Sequence, residues 1–185
     1  MALHLMRIIA GIAKGRRLLA PRGEGTRPMM DRAREGLFSS LGEAVAGARV
    51  LDLYAGSGSL GLEALSRGAA AAVFVERGRS ALAALRANVA AVGRGGEVVA
   101  ADVGAYLERA AGPFDLVFVD PPYALPLASV ERALGRLVPL LAAGGTIVLH
   151  RRAGEGLGLL PGLTVIDRRR YGDSEITRLL KEEAL

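Results

Sequence analysis

The stretch "RVLDLYAGSGSLGLEALSRG", residues 49–68, places an apolar run, a glycine-rich turn and a second apolar segment end to end. "RVLDLYA" has the length and β-branched, aliphatic content of a buried strand. "GSLGLEALSRG" has helical character and is closed by Gly68. Between them, Gly56, Gly58 and Gly61 follow the spacing G-x-G-x-x-G. Glycines so spaced allow a tight turn, close approach of backbone to a ligand, and close packing of the helix that follows. A strand, this loop and a helix in succession predict a nucleotide-type site at the strand's end. A glycine turn with no ligand is the competing reading.

Outward from this stretch the same alternation continues. "AAVFVE" reads as a strand ending on Glu76, twenty residues after Gly56, and "RSALAALRANVAAVG" as a long helix ending at Gly93. "EVVAAD" is a third strand, followed by a short helix through Tyr106 and Leu107. "FDLVFVD" is a fourth strand, "ASVERALGRLVPLL" a helix and "GGTIVLH" a fifth strand. Weaker strands follow around "LTVIDRRR" and "EITRLL". Regular βα alternation predicts an α/β fold with a doubly wound, mostly parallel sheet. In such sheets ligands collect beyond the carboxyl ends of the strands, near the point where strand order reverses. Asp52, Tyr54, Glu76, Asp102 and Asp120 all fall at strand ends of this kind.

The chemistry of those residues narrows the ligand. Glu76 can bind ribose hydroxyls. Asp52 precedes the loop, where a carboxylate would disfavour a pyrophosphate and suit a cationic ligand such as S-adenosylmethionine. Asp102 can accept from an adenine amino group or cap the next helix, and the two roles are compatible.

The fourth strand ends on "DPPY", residues 120–123. Proline donates nothing to a sheet ladder, so Pro121 and Pro122 lie beyond the strand. Alone, this is a rigid turn. Beside the glycine loop, it is an acceptor site for an aromatic amine. Asp120 and the Pro121 carbonyl can bind the two amine hydrogens, and Tyr123 can stack on a base drawn out of its helix.

Upstream, "MRIIAGIAKGRRLLAP" has two apolar runs around "AKGRR", as a hairpin would. "TRPMMDRAREGLFSSL" starts a helix near Pro28 or Asp31, with Ala33, Leu37, Leu41 and Val45 on one stripe and Arg32 and Arg34 off it. The division expected is a basic extension over 1–27 and a catalytic domain over 28–185. Residues 1–35 hold eight Lys/Arg and three acids, which accounts for the whole formal charge of +5. A basic extension on a neutral body points to a polyanion, with nucleic acid ahead of membrane. Simple solubility is the plainer alternative.

Composition closes off several function classes. The chain has 185 residues, 51% hydrophobic, and no apolar stretch long enough to span a bilayer. Arg7 argues against a signal peptide, and the expected location is cytoplasmic. With no cysteine, thiolate nucleophiles and disulfides are excluded. Two histidines, His4 and His150, are too few for a histidine-built metal site, so none is expected.

"VLDLYAGSGSLGLEALSRGA", Glu76, Asp102 and "FDLVFVDPPY" together resemble the class I S-adenosylmethionine-dependent methyltransferases that modify exocyclic amines. "RIIAG", "GRRL", "TRP" and "DRAREGLFSSL" are similar to the bacterial small-subunit (16S) ribosomal RNA guanine-N2 methyltransferases. The resemblance implies a seven-stranded, Rossmann-like sheet whose last strand is antiparallel, with the N-terminal hairpin as an RNA-binding appendage. It implies cofactor contacts from Asp52, Tyr54, Ala55, Gly56, Ser57 and Gly58, from Glu76 and Arg77, and from Asp102 and Val103. It implies catalysis by Asp120, Pro121, Pro122 and Tyr123, with S-adenosylhomocysteine as product. RNA contacts would come from Arg7, Lys14, Arg16, Arg17, Arg22 and Arg27; Arg32 and Arg34 would contact RNA phosphate or the cofactor carboxylate, with exposed helix-face charge as the plainer alternative. The expected partner is small-subunit ribosomal RNA or the assembling subunit, and the expected state is a monomer. Met29 and Met30 depart from the family pattern, which has small polar residues there. Rival readings are a DNA or adenine-N6 methyltransferase, an NAD-linked oxidoreductase and a non-catalytic RNA-binding module.

Overall fold

A computed structural model of the chain describes residues 6–21, 29 and 31–183. Its centre is strand β1 (Arg49–Leu53), flanked on one side by β2 (Ala71–Glu76) and β3 (Gly96–Ala100). On the other side lie β4 (Phe114–Val119), β5 (Leu141–Arg152), β7 (Ser174–Lys181) and β6 (Leu163–Tyr171). The seven strands run in the order β3-β2-β1-β4-β5-β7-β6. β7 alone is antiparallel to its neighbours, on both sides. The mostly parallel, seven-stranded α/β fold anticipated from the alternation is therefore present.

Parallel strands need helical crossovers, and the helices cover both faces of the sheet. α1 (Asp31–Leu41), α2 (Ser59–Ser66) and α3 (Arg79–Val92) are followed by α4 (Val103–Leu107) and α5 (Leu127–Leu137). Side-chain alternation sorts the central strands into two cores. Val50, Phe74, Phe118 and Val148 pack with Leu37, Phe38, Leu62 and Leu85 on one face. Leu51, Leu53, Val117, Val119 and Ile147 pack with Val130, Leu134 and Leu137 on the other. Asp52 falls on the first of these faces, opposite Phe74 and Phe118 in register.

Two boundaries differ from the sequence expectation. α5 stops at Leu137 and tightens into a 3₁₀ turn over Val138–Leu140, because Pro139 cannot continue the α-helical hydrogen bonding. β5 consequently begins at Leu141, where it pairs with Phe114 ahead of an irregularity between Phe114 and Leu116.

The described part of the N-terminal segment closes as a short hairpin through one bridge, Arg7 to Arg17. Ile8 and Leu18 bury their side chains in the first core. Fully buried Glu63 of α2 accepts the Ile9 amide at 2.7 Å and the Ala10 amide at 3.0 Å. Asn88 of α3 accepts from Leu19 N at 2.9 Å and donates to Leu19 O at 3.0 Å. The hairpin is thus held on α2 and α3 by backbone-to-side-chain bonds that span more than fifty residues. Among the described residues no helix is long and apolar enough to cross a membrane.

Candidate active site

Strand order reverses between β1 and β4, and the candidate site is at that point. Leu53 pairs with Val119, so the glycine loop leaving β1 and the "DPPY" segment leaving β4 emerge side by side.

In the loop, Tyr54 holds φ at 58°, a left-handed conformation that non-glycine residues seldom adopt. Gly56 and Gly58 continue it with φ of 56° and 81°. The three fingerprint glycines have separate duties. A Cβ on Gly58 would stand 2.6 Å from Leu85 Cδ1, and one on Gly61 would stand 2.4 Å from Phe74 Cε1. Those two permit helix–sheet packing. At Gly56 the nearest atom to a Cβ is 4.0 Å away, so this residue faces open space and leaves the backbone approachable.

The amides of Ala55, Gly56 and Gly58 are bonded within the protein. Glu76 Oε2 accepts from Gly56 N at 2.8 Å, while Oε1 accepts from Arg77 N and Gly78 N at 2.8 and 2.7 Å. Asp52 Oδ2 accepts from Gly61 N at 2.9 Å in the first turn of α2. Asp52 is 1% exposed and lines neither of the two cavities at this edge. The expectation that it meets the cofactor directly is corrected here. Pleat alternation turns its side chain beneath the loop, opposite the cavity. Burial pushes its carboxyl well above the ordinary carboxylate range, opposed by the Gly61 bond and reinforced by Asp120 and Glu76.

One cavity, of about 490 Å³, is lined by Tyr54, Gly56, Glu76, Arg77, Asp102 and Val103 from the expected cofactor set. Asp102 caps α4 through a 2.9 Å bond from Gly104 N and pairs with Arg77 at 3.1 Å. Arg132 and Arg136 of α5 add cations to this wall. They are one helical turn apart in the sequence, the only signal that could have pointed to them. Gly58 lies behind the loop and lines neither cavity.

A second cavity, of about 910 Å³, contains Asp120, Pro121, Pro122 and Tyr123 together with Ala55 and Ser57. The two share Pro21, Tyr54, Gly56, Asp120 and Pro122 as a common wall. Tyr123 is 37% exposed, and Arg152 stacks over its ring at 5.5 Å. Partial burial and the Asp120 charge raise the phenol pKa of Tyr123, and burial first, then Asp102, does the same at Tyr54. Both rings keep their protons at neutral pH.

The carboxyl end of β5 supplies residues that sequence reasoning missed. His150 Nδ1 lies 2.8 Å from Asp120 Oδ1. Buried Arg151 donates to the carbonyls of Pro122 and Leu125 at 2.9 and 3.0 Å, with Glu155 at 2.8 Å on its Nε. "HRR" at a strand end carries no motif, and only the β4–β5 pairing brings it to "DPPY".

The basic residues divide. Arg7, Lys14, Arg16, Arg17 and Arg32 are exposed, and Arg22 and Arg27 lie outside the described residues. Arg34 is 1% exposed, and its expected contact with RNA is corrected. Its guanidinium faces inward, donating to Arg7 O and to Asp31 Oδ1, and burial lowers its pKa. Met29 is buried at the edge of the larger cavity, and Met30 lies outside the described residues.

Residues 6–179 match the family model of conserved hypothetical protein 95. Ribosomal RNA small subunit methyltransferase D of Escherichia coli K12 is 36% identical over 180 residues, covering 97% of this chain and 91% of its own. The enzyme of the same name from Haemophilus influenzae is 38% identical over 71% of this chain and 70% of its own. Among solved structures, Escherichia coli yhhF superposes with a TM-score of 0.85 at 34% identity, covering 95% of this chain and 97% of that one. A hypothetical protein of Thermus thermophilus superposes at 0.79 with 37% identity, covering 95% and 99%. The chain belongs to the conserved hypothetical protein 95 family and is a homologue of the small-subunit ribosomal RNA methyltransferases D.

Proposed function

We propose that the chain transfers a methyl group from S-adenosylmethionine to the exocyclic N2 amine of a guanine in small-subunit ribosomal RNA. The observation that carries this reading is the common wall of the two cavities, where Gly56 and Tyr54 of the donor side meet Asp120 and Pro122 of the acceptor side.

The smaller cavity fits S-adenosylmethionine in size and in donor set. Glu76, its carboxylate oriented by three amides, would take the ribose hydroxyls, and Asp102 with Val103 would take the adenine. A dinucleotide fits poorly. The Gly56 amide and the Gly61 amide in α2's first turn are bonded to Glu76 and Asp52, so neither is open to a pyrophosphate. When bound, S-adenosylmethionine supplies an electrophilic methyl group.

The protein's own residues prepare the amine. An aromatic amine delocalises its lone pair into the ring and is a weak nucleophile. Asp120 accepts one amine hydrogen and the Pro121 carbonyl the other, which fixes the direction of the lone pair. Among the described residues no hydrogen bond reaches the Pro121 carbonyl, whereas the Pro122 carbonyl is held by Arg151. Tyr123, with Arg152 behind its ring, offers a stacking face for the base. Arg152 and Arg170 edge the acceptor cavity and, with Arg16 and Arg17 of the hairpin, would meet RNA phosphates.

The test is to incubate the chain and radiolabelled S-adenosylmethionine with unmodified small-subunit RNA and with assembling particles, then map the product. N2-methylguanine at one position supports the reading, and N6-methyladenine replaces it with the adenine alternative. Loss of label transfer in Asp120→Ala, with cofactor affinity retained, is the expected companion result.

A further inference from the structure

One of the chain's two histidines stands in the acceptor site without a part in the reaction as read above. Leu149 of β5 lies opposite Val119 of β4, so His150 and Asp120 follow side by side. The His150 residue is 5% exposed, and its Nδ1 is 2.8 Å from Asp120 Oδ1. A carboxylate has no hydrogen to donate, so with Asp120 ionised the proton of this bond resides on Nδ1. The Tyr123 ring stands 6.1 Å from the imidazole, tilted by 57°, on the same cavity wall. One oxygen of Asp120 is thereby committed to the protein. Among the described residues no hydrogen bond reaches the other, Oδ2, and 30% of the side chain stays open at the wall the two cavities share.

We propose that His150 is a positioning residue for methyl transfer, fixing Asp120 by Oδ1 so that Oδ2 is presented to the acceptor amine. The proposal rests on Asp120 being the amine acceptor. A half-open aspartate without such a partner is free to change rotamer, and each alternative rotamer moves its oxygens away from the amine. A misplacement of about 1 Å at a reacting centre costs about 100-fold in rate. The bond that prevents it comes from a ring that is itself buried. Nδ1–H persists in both the neutral Nδ1–H tautomer and the imidazolium, so the donor survives protonation of the ring.

The experiment compares His150→Leu, His150→Asn and Asp120→Ala with the unaltered chain for kcat, KM toward RNA, and cofactor Kd. His150→Leu is expected to lower kcat about 100-fold with cofactor Kd unchanged and a much smaller change in KM. His150→Asn, whose amide N–H falls near the position of Nδ1, is expected to recover about tenfold of that loss. His150→Leu at full rate, or His150→Asn no better than His150→Leu, overturns the proposal. Asp120→Ala at full rate overturns instead the reading of Asp120 on which it rests. Asp120→Ala inactive beside a fully active His150→Leu overturns the role of His150 alone. If His150→Leu does not fold, imidazole ¹⁵N spectra of the unaltered chain at mildly alkaline pH decide, with the His150 signals assigned by their loss in His150→Asn. A protonated Nδ1 and bare Nε2 are expected, and the opposite tautomer overturns the proposal.

Discussion

Asp52 Oδ2 accepts a 2.9 Å hydrogen bond from the Gly61 amide, which ties the end of β1 to the first turn of α2 beneath the glycine loop. The carboxylate that precedes the loop is therefore a brace inside the protein, and the cavity-facing carboxylate is Glu76. Asp52 is buried, and its ionisation has a measurable pH signature.

Burial raises the Asp52 pKa in the folded chain, so the folded state keeps this proton at pH values where the unfolded chain has lost it. Below the ordinary carboxylate range both states are protonated, and Asp52 adds no pH dependence. From about pH 4 upward the unfolded chain binds fewer protons than the folded one, and stability falls with pH until the folded pKa is passed. Asp52→Asn keeps an acceptor for the Gly61 amide and removes the ionisation. Urea unfolding across this range should show the variant gaining stability over the original chain as pH rises. A flat difference would mean that Asp52 ionises as an exposed carboxyl does.

Gly61→Ala places a Cβ 2.4 Å from Phe74 Cε1 and 3.0 Å from Asp52 Oδ2. α2 must then lift from the sheet, at a cost of about 1–3 kcal/mol, and the bond to Asp52 lengthens with it. Gly135→Ala in α5, where a Cβ meets nothing within 4 Å, is the control. Unfolding free energies from denaturant titration of the two should separate by that amount, with the control unchanged or slightly stabilised.

Glu63→Ala leaves the Ile9 and Ala10 amides and the Arg67 guanidinium without their acceptor. Removal of one partner from a buried charged network costs roughly 3–5 kcal/mol. Hydrogen exchange should show the loss first at Ile8, Ile9 and Ala10, while amides of β1 and β4 exchange slowly until global unfolding. Equal acceleration everywhere would show that the hairpin is not a separable stability unit.

Neutralising Arg16 and Arg17, or separately Arg152 and Arg170, should weaken RNA binding and flatten its salt dependence. For a single-stranded segment, each phosphate left without its cation reduces the slope of log K against log salt by about 0.7. Cofactor affinity should stay constant for the hairpin pair. The same measurement on Arg34→Met should leave the slope unchanged and lower stability instead, because that guanidinium is buried against Arg7 O and Asp31.

Periodicity and punctuation made the α/β fold legible before any coordinate. Apolar runs of strand length, helices closed at Gly68 and Gly93, and acids at strand ends are all local features, and local features survive in one dimension. The glycine loop, Glu76, Asp102 and "DPPY" could be singled out for the same reason, since each is a short motif at a strand terminus. What periodicity could not reveal was the face on which each residue lands. Asp52 and Arg34 looked like ligand contacts because their residue types suit the task. Pleat alternation turned the first beneath the loop, and the packing of α1 turned the second inward against the N-terminal hairpin.

His150, Arg151 and Arg152 were invisible for a further reason. They sit thirty residues from "DPPY" in a stretch without motif, and β4–β5 pairing alone makes them neighbours of Asp120 and Pro122. Residue order alone specified the elements, their succession and the motifs at the strand ends, because hydrophobic period and turn chemistry act over a few residues. Tertiary packing selected which side chains face a cavity, which brace the backbone, and which unmarked neighbours hold the "DPPY" loop in place. Register and burial are set by contacts between distant segments, and no local pattern encodes them.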